Sequence, residues 1–345
     1  MAPAPKAVTV DLHSHFFPKS WPDFDARFGG APWPRMEITG SDTGCVMIGT
    51  KAFRPVTSAC WDVKRRLAEM DRDGIDIQVI SATPVLFSYA RPVDQALEVA
   101  KIFNDMALEM CAEGEGRLHA LAQVPLQDID AACRELSRAM KSGHRGVQIG
   151  NHVGLKNLDD KGLITFLKHC ADEGAAVLVH PWDMMAQERM PKYMMAWTVG
   201  MPAETQLSIV AMILGGAFDR LPRSLRVCFA HGGGSFAFLL GRLENAWHNR
   251  DIVRAGSKAP PSSYCDRFFV DSAVFDDRAL RLLVEVMSED RVILGSDYPF
   301  PLGELEIGSL VRKSAHLSAA GRAKILGGNA LTFLGLDKTA ATAAA

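Results

Sequence analysis

The chain lacks the features that would tie it to a membrane, an oxidising compartment or a charged polymer. No apolar run reaches transmembrane length, and the opening Met1-Ala2-Pro3-Ala4-Pro5-Lys6 carries no apolar core of a secretory leader. The seven cysteines (Cys45, Cys60, Cys111, Cys133, Cys170, Cys228 and Cys265) are scattered and form no C-x-x-C pair. An odd, dispersed set reads as reduced thiols used in packing, in a cytoplasmic protein. Net charge is only −2, so no global field favours nucleic acid or an anionic membrane. An anionic substrate must then be captured by local arginines. With 48% hydrophobic and 23% charged residues, the composition is that of an ordinary globular protein. A length of 345 residues allows two domains, but α/β barrels often fill this size as one.

What is present is an alternation. Short runs rich in Val, Ile, Leu or Phe predict strands near 8–13, 75–81, 118–124, 146–150, 176–180, 226–231, 268–271 and 291–295. Helices are predicted near 63–72, 93–113, 129–141, 159–173, 203–218, 235–250, 278–287 and 319–334. Ile129, Cys133, Leu136 and Met140 keep helical spacing within the third of these. Eight such units with near-continuous apolar strands predict an α/β fold, a (β/α)8 TIM barrel spanning 1–338 as one domain. Residues 16–61, rich in Pro, Gly, Trp and Phe, are too long for a structureless loop and predict a lid or small inserted subdomain. The low-complexity tail 339–345 is expected to fray.

The chemistry begins at Asp11-Leu12-His13-Ser14-His15, which follows the first apolar run. Residues two apart in a strand share a face, so His13 and His15 project together. A lone histidine is ordinarily a hydrogen-bonded core residue. Here His180, His231 and Asp297 also fall at the ends of later strands, and a barrel gathers those ends around one axis. Three imidazoles and a carboxylate suit catalytic zinc, which lowers the pKa of bound water to about 7. The expected ligands are His13, His15, His180 and Asp297. His231 opens His231-Gly232-Gly233-Gly234, whose glycines allow close approach of backbone and substrate, and is the expected general base. Strand four ends in Gln148-Ile149-Gly150-Asn151, with no lysine to bridge a metal pair, so a single Zn2+ per chain is expected. His152 follows that strand and could reach the mouth. His119, His144, His169, His248 and His316 fall on helices, loops or strand beginnings and are assigned no chemistry.

These stretches resemble the metal-dependent amidohydrolase superfamily, from about Val10 to Leu336. Further carrying stretches are Val179-His180-Pro181-Trp182-Asp183-Met184, Gly200-Met201-Pro202-Ala203-Glu204-Thr205, His231-Gly232-Gly233-Gly234-Ser235-Phe236 and Gly295-Ser296-Asp297-Tyr298-Pro299-Phe300-Pro301-Leu302-Gly303-Glu304. Of these, His180-Pro181-Trp182-Asp183-Met184 and Asp297-Tyr298-Pro299-Phe300-Pro301-Leu302-Gly303 are much more specific than His-x-His. They resemble the decarboxylase branch that acts on ring-opened carboxymuconate semialdehydes, rather than the hydrolases. The resemblance implies non-oxidative decarboxylation of a ring-opened product of 3-hydroxyanthranilate, in tryptophan or nitroaromatic catabolism, without an organic cofactor. It implies zinc on His13, His15, His180 and Asp297, with His231 helping to deprotonate a zinc-bound water. Hydroxide then adds to the conjugated substrate, carbon is protonated and the bond to the carboxylate breaks.

The residues agree with a small dicarboxylate semialdehyde substrate. Arg54 lies in the expected lid and can fork onto a carboxylate. Arg242 lies seven residues into the helix opened by Ser235, about 10 Å along its axis from the rim. That displacement directs it to a neighbour's substrate, and the resemblance implies a homodimer in which the matching arginine completes the partner's pocket. Met184, Trp197 and Phe300 match pocket-lining positions of the branch. Lys51 is a further candidate contact, because Thr50-Lys51 leaves the register before Arg54 ambiguous. The competing readings are a decarboxylase of a 2-hydroxy-carboxymuconate semialdehyde or a hydroxybenzoate, a mononuclear zinc hydrolase or lactonase, and a metal-binding regulator without turnover.

Overall fold

Local signals start and stop the helices between the strands. The side chains of Asp62, Asp128, Asp160 and Asp276 each accept a backbone N–H from the first turn that follows, a cap worth about 1 kcal/mol. Gly74 and Gly143 end two of these helices in the left-handed conformation that a side chain disfavours. In the computed structural model, which describes residues 7–336, the helices include Val63–Asp73, Val93–Glu113, Ile129–Ser142, Lys161–Asp172 and Asp277–Met287. The segment 1–6 and the tail 339–345 lie outside the described residues.

The eight-stranded sheet runs, in chain order, through Val10–Phe16, Ile77–Ala82, Leu118–Ala122, Gly146–Gly150, Ala176–His180, Arg226–Phe229, Phe269–Asp271 and Val292–Ile293. Every neighbouring pair is parallel. Leu12 N–H donates to the Leu294 carbonyl and Asp297 N–H to the His13 carbonyl, both at 2.9 Å, so the end of the eighth strand returns to the first. This is the (β/α)8 barrel that the alternation predicts. Strand residues two apart (Val10 and Leu12, Ile77 and Val79, Ala176 and Leu178) join Leu121, Cys228, Phe269 and Ile293 in a buried cluster. Ala330, Leu331, Phe333 and Leu334 of the last helix belong to the same cluster. By the same two-residue period, His180 follows Leu178 onto the inner face, above this apolar plug.

Several boundaries differ from expectation for identifiable reasons. The first strand reaches Phe16, so His13 and His15 lie within it, at a register shift between Asp11 and Ser14. The sixth strand stops at Phe229, not His231, because His231 (φ 55°, ψ 48°) has left the extended region. The predicted helix 203–218 divides into Met201–Leu214 and Ala217–Arg220 at Gly216, which is left-handed at φ 68°. Residues 319–334 are interrupted by a π-helical turn at Lys324–Gly328, and Ile325 offers its carbonyl to Leu294 N–H. The segment after the first strand contains an antiparallel three-stranded sheet, Pro34–Ile38, Thr43–Ile48 and Lys51–Thr57. Ahead of that sheet, Trp21 and Phe24 pack on Phe103 of the long helix Val93–Glu113, with ring centroids 5.4 and 6.5 Å away.

One buried cation fastens the end of the first strand. Arg66, fully buried on the helix Val63–Asp73, donates to the His15 carbonyl (2.7 Å), the Ala59 carbonyl (3.0 Å) and Gln78 Oε1 (2.7 Å). Gln78 Nε2 in turn donates to Asp11 Oδ2 at 2.9 Å, which links guanidinium and carboxylate through one amide. Burial of the guanidinium is costly, and the bonds from its two terminal nitrogens offset that cost. Replacing Arg66 with Met leaves those buried acceptors without a donor. The expected loss is about 3 kcal/mol, read from the urea midpoint at constant slope. A loss under about 1 kcal/mol would contradict this role.

Candidate metal centre and active site

Five side chains carried by four stretches of chain meet at the C-terminal end of the barrel. His13 Nε2 lies 3.1 Å from His15 Nε2. Asp297 Oδ1 lies 3.2 Å from His15 Nε2 and 3.6 Å from His13 Nε2, and Asp297 Oδ2 lies 3.7 Å from His231 Nε2. The His180 ring centre is 5.0–5.1 Å from those of His13, His15 and His231. Among the described residues, ligand atoms of His13, His180, His231 and Asp297 all fall within 4.8 Å of one another. His13, His15 and His180 are buried, whereas the side chains of His231 and Asp297 keep 14% and 13% exposure, which marks the open side.

The surroundings fix which nitrogen of each buried imidazole faces the centre. His13 Nδ1 meets Asp271 Oδ2 at 2.7 Å, and His180 Nδ1 meets the Pro181 carbonyl at 2.9 Å. Carboxylate and carbonyl oxygens only accept, so both Nδ1 atoms carry the proton and both Nε2 atoms present lone pairs. His15 is held by a relay. Gln148 Nε2 donates to the Ala82 carbonyl (2.7 Å), which turns Gln148 Oε1 toward the Ser81 hydroxyl (2.7 Å). Ser81 Oγ, its own proton committed, is left to accept from His15 Nδ1 at 3.4 Å. Within the protein His180 Nε2 has no hydrogen-bond partner although it is buried. Three inward lone pairs beside a carboxylate repel one another unless a cation lies among them. The donor set therefore fits a divalent metal with nitrogen and oxygen ligands.

Electrostatics agree with that arrangement. Burial, with the neighbouring imidazoles, pushes His180 well below its usual pKa, and burial lowers His15 to about 4, so both are neutral ligands at neutral pH. Burial also opposes charge on His13, but the Asp271 hydrogen bond and the carboxylates of Asp271, Asp297 and Asp11 outweigh it and raise its pKa. Burial would raise Asp297, yet its contacts with His15 and His231 and the charge of His13 hold it far below the usual carboxylate range. His231 and Asp297 both adopt left-handed backbone, φ 55° and 60°. Such conformations cost free energy in non-glycine residues and concentrate at functional sites.

The substrate-side residues are placed less uniformly. Arg54, on the strand Lys51–Thr57, sits 4.3 Å over the Phe300 ring, and Phe300 is 5.6 Å from the His15 ring. Burial lowers the Arg54 pKa against the attraction of Asp297, and among the described residues no carboxylate forms an ion pair with its guanidinium. Met184 packs under Gly200, where an added Cβ would meet Met184 Cβ at 2.9 Å, and Trp197 is half-buried on the turn Ala196–Gly200. Arg242 is exposed on the helix Phe236–Asn249, away from the cluster of five. Lys51 is exposed and pairs in register with Ile48, apart from the metal ligands. His152 does not turn to the centre, because its two ring nitrogens face the Gly154 and Asp183 carbonyls at 2.8 and 3.1 Å.

The glycines after His231 shape the turn that carries it. Gly232, Gly233 and Gly234 are all left-handed (φ 63°, 72° and 64°), and a Cβ on Gly234 would strike the Pro202 carbonyl. They make a tight turn possible. Sequence reasoning missed Asp271, whose only signal was its place at the end of the seventh strand. It also missed Glu204, which accepts from Met185 N–H (2.6 Å) and Asn151 Nδ2 (3.1 Å) and so anchors the loop carrying Met184.

The amidohydrolase family profile matches residues 10–336. The chain is 44% identical to the 2-amino-3-carboxymuconate-6-semialdehyde decarboxylase of Dictyostelium discoideum, over 96% of this chain and 93% of that one. It is 32% identical to the enzyme of the same name from Caenorhabditis elegans, over 96% of both chains. Its fold is similar to that of the crystal structure of Metarhizium anisopliae IDCase, with a TM-score of 0.81 at 24% identity, covering 95% of this chain and 97% of the other. With both the family profile and close relatives matched along nearly its whole length, the chain belongs to the amidohydrolase family, in its decarboxylase branch, and is a metal-dependent carboxy-lyase.

Proposed function

We propose that the chain is a zinc-dependent decarboxylase of 2-amino-3-carboxymuconate 6-semialdehyde or a close analogue, in the breakdown of 3-hydroxyanthranilate. The observation that carries this reading is Arg54, a guanidinium in no ion pair with a carboxylate among the described residues, lying on Phe300 beside the histidine cluster. A cation over an aromatic face next to a metal site suits a conjugated substrate bearing carboxylates. His13, His15, His180 and Asp297 are the ligands in this reading. A bound divalent metal supplies Lewis-acid activation of water at neutral pH.

The chain's own residues do the rest. Arg54 clamps one substrate carboxylate, and Phe300, Met184 and Trp197 cover the apolar faces of the conjugated chain. His231, whose side chain keeps 14% exposure, takes a proton from water on the open side of the centre. The hydroxide so formed adds to the conjugated substrate, and His231 returns the proton to the substrate carbon. As carbon dioxide leaves, the freed electron pair reforms the double bond and expels the hydroxide. A C–H bond thus replaces the broken C–C bond, and a solvent proton restores the water. The inserted segment 16–61, which brings Arg54, acts as a lid on the single domain 1–338. Arg242 serves the neighbouring subunit of a homodimer: it is exposed, and it shares its helix face with the largely exposed Phe238 four residues earlier.

The reading is tested on purified protein with aminocarboxymuconate semialdehyde beside its 2-hydroxy analogue, counting released carbon dioxide. Chelation should abolish turnover and zinc restore it at one metal per chain. Hydrolysis of a lactone without carbon dioxide release would defeat it.

His231→Ala should retain metal and lose about 10²–10⁴-fold in kcat, whereas His180→Ala should lose the metal as well. Equal metal loss in the two variants would overturn the division between base and ligand.

Mixing inactive Arg242→Ala and His231→Ala chains under subunit exchange should restore activity, because one site of each mixed dimer then receives both intact residues. No recovery despite demonstrated exchange would return Arg242 to its own helix surface.

A further inference from the structure

Asp271 makes contacts that neither packing nor the proposed reaction requires. It is fully buried at the end of the seventh barrel strand, and its two oxygens point to different parts of the site. Oδ2 accepts from His13 Nδ1 at 2.7 Å. Oδ1 accepts from the backbone N–H of Gly232 at 2.9 Å and of Ala273 at 3.1 Å. Gly232 directly follows His231, inside the left-handed turn that aims that imidazole. One carboxylate thus touches a candidate ligand on the first strand and the turn of the candidate base after the sixth.

The seventh and first strands are not neighbours. The eighth lies between them, and its line continues through Gly295. A Cβ built on Gly295 would lie 2.8 Å from His13 Cβ and 2.8 Å from Asp271 Cβ, closer than real side chains approach. The contact between His13 and Asp271 therefore runs over a position that only glycine can fill. Gly295 N–H, by contrast, is spoken for by Ser272 Oγ at 3.3 Å, which leaves its missing side chain as the feature that matters here.

We propose that Asp271 is the positioning residue of the centre: through Gly295 it holds His13 in the tautomer that turns Nε2 to the metal, and through Gly232 it sets the turn that presents His231. This rests on the metal reading above. Carboxylate partners of ligating histidines commonly govern metal affinity by about 10–100-fold. Asp271 differs from a simple orienting partner in serving two functional residues at once. An amide in its place has one accepting and one donating end. Asn at 271 can accept from His13 or from the turn, and must present N–H groups to the other.

The test is made on zinc-loaded protein carrying ¹⁵N-labelled histidine. In the wild-type chain, NMR should find the His13 proton on Nδ1, and a proton on Nε2 would overturn the proposal whatever the variants do. Asp271→Asn should raise the zinc dissociation constant about 10–100-fold in competition with a chromophoric chelator. Should the amide oxygen stay on His13 instead, zinc affinity should hold and kcat should fall with KM little changed, because the His231 turn has then lost its acceptor. Gly295→Ala should weaken zinc binding likewise while leaving the carboxylate in place. Wild-type zinc affinity together with wild-type kcat in folded Asp271→Asn would overturn the proposal, because one amide can satisfy only one of the two contacts. Failure of the wild-type chain itself to bind zinc would instead strike the metal reading on which it rests.

Discussion

Two imidazole nitrogens held 3.1 Å apart with lone pairs facing are stable only when something positive lies between or beside them. The barrel imposes that condition by denying the rings any other arrangement. Asp271, the Ser81–Gln148 relay and the Pro181 carbonyl each take the far side of one buried imidazole, so the near sides of His13, His15 and His180 turn toward one another and Asp297. The acceptors differ in strength, from a buried carboxylate to a hydroxyl to a peptide carbonyl, and a ligand's basicity follows that of its partner. The three histidines are therefore chemically unequal, with His13 the most electron-rich.

The same constraint organises the scaffold around the centre. Arg66 fastens the carbonyl end of His15, and Asp11 accepts from Ser296 Oγ at 2.6 Å, tying the first strand to the stretch that carries Asp297. The left-handed backbone at Asp297 is held by its own N–H bond to the His13 carbonyl, and that at His231 by the bond of the next N–H, Gly232, to Asp271. The inserted sheet brings Arg54 over Phe300. The candidate ligands, the candidate base His231 and Arg54 thus come from separate chain segments, and the barrel end is what makes them neighbours.

Much of this was legible in the residues. The strands 146–150 and 176–180 and the helix 93–113 match the observed Gly146–Gly150, Ala176–His180 and Val93–Glu113, because their apolar runs are bounded by glycines, prolines or charges. The convergence of His13, His15, His180, His231 and Asp297 followed from strand-end positions alone. Other features left weaker traces. The sheet in Pro34–Thr57 has exposed faces, so its apolar pattern is faint. The stop of the sixth strand at Phe229 depends on a positive φ at a histidine, which composition does not announce. Asp271 carries no motif of its own, and its partnership with His13 depends on the missing side chain of Gly295, a contact between residues far apart in sequence.

X-ray absorption at the zinc edge of the loaded protein bears most directly on a single metal held by these side chains. A first shell of nitrogen and oxygen at about 2.0–2.2 Å, with no heavier scatterer nearby, is the result expected from His13, His15, His180 and Asp297. A sulfur shell at about 2.3 Å, or a second metal at about 3.5–4 Å, would contradict it.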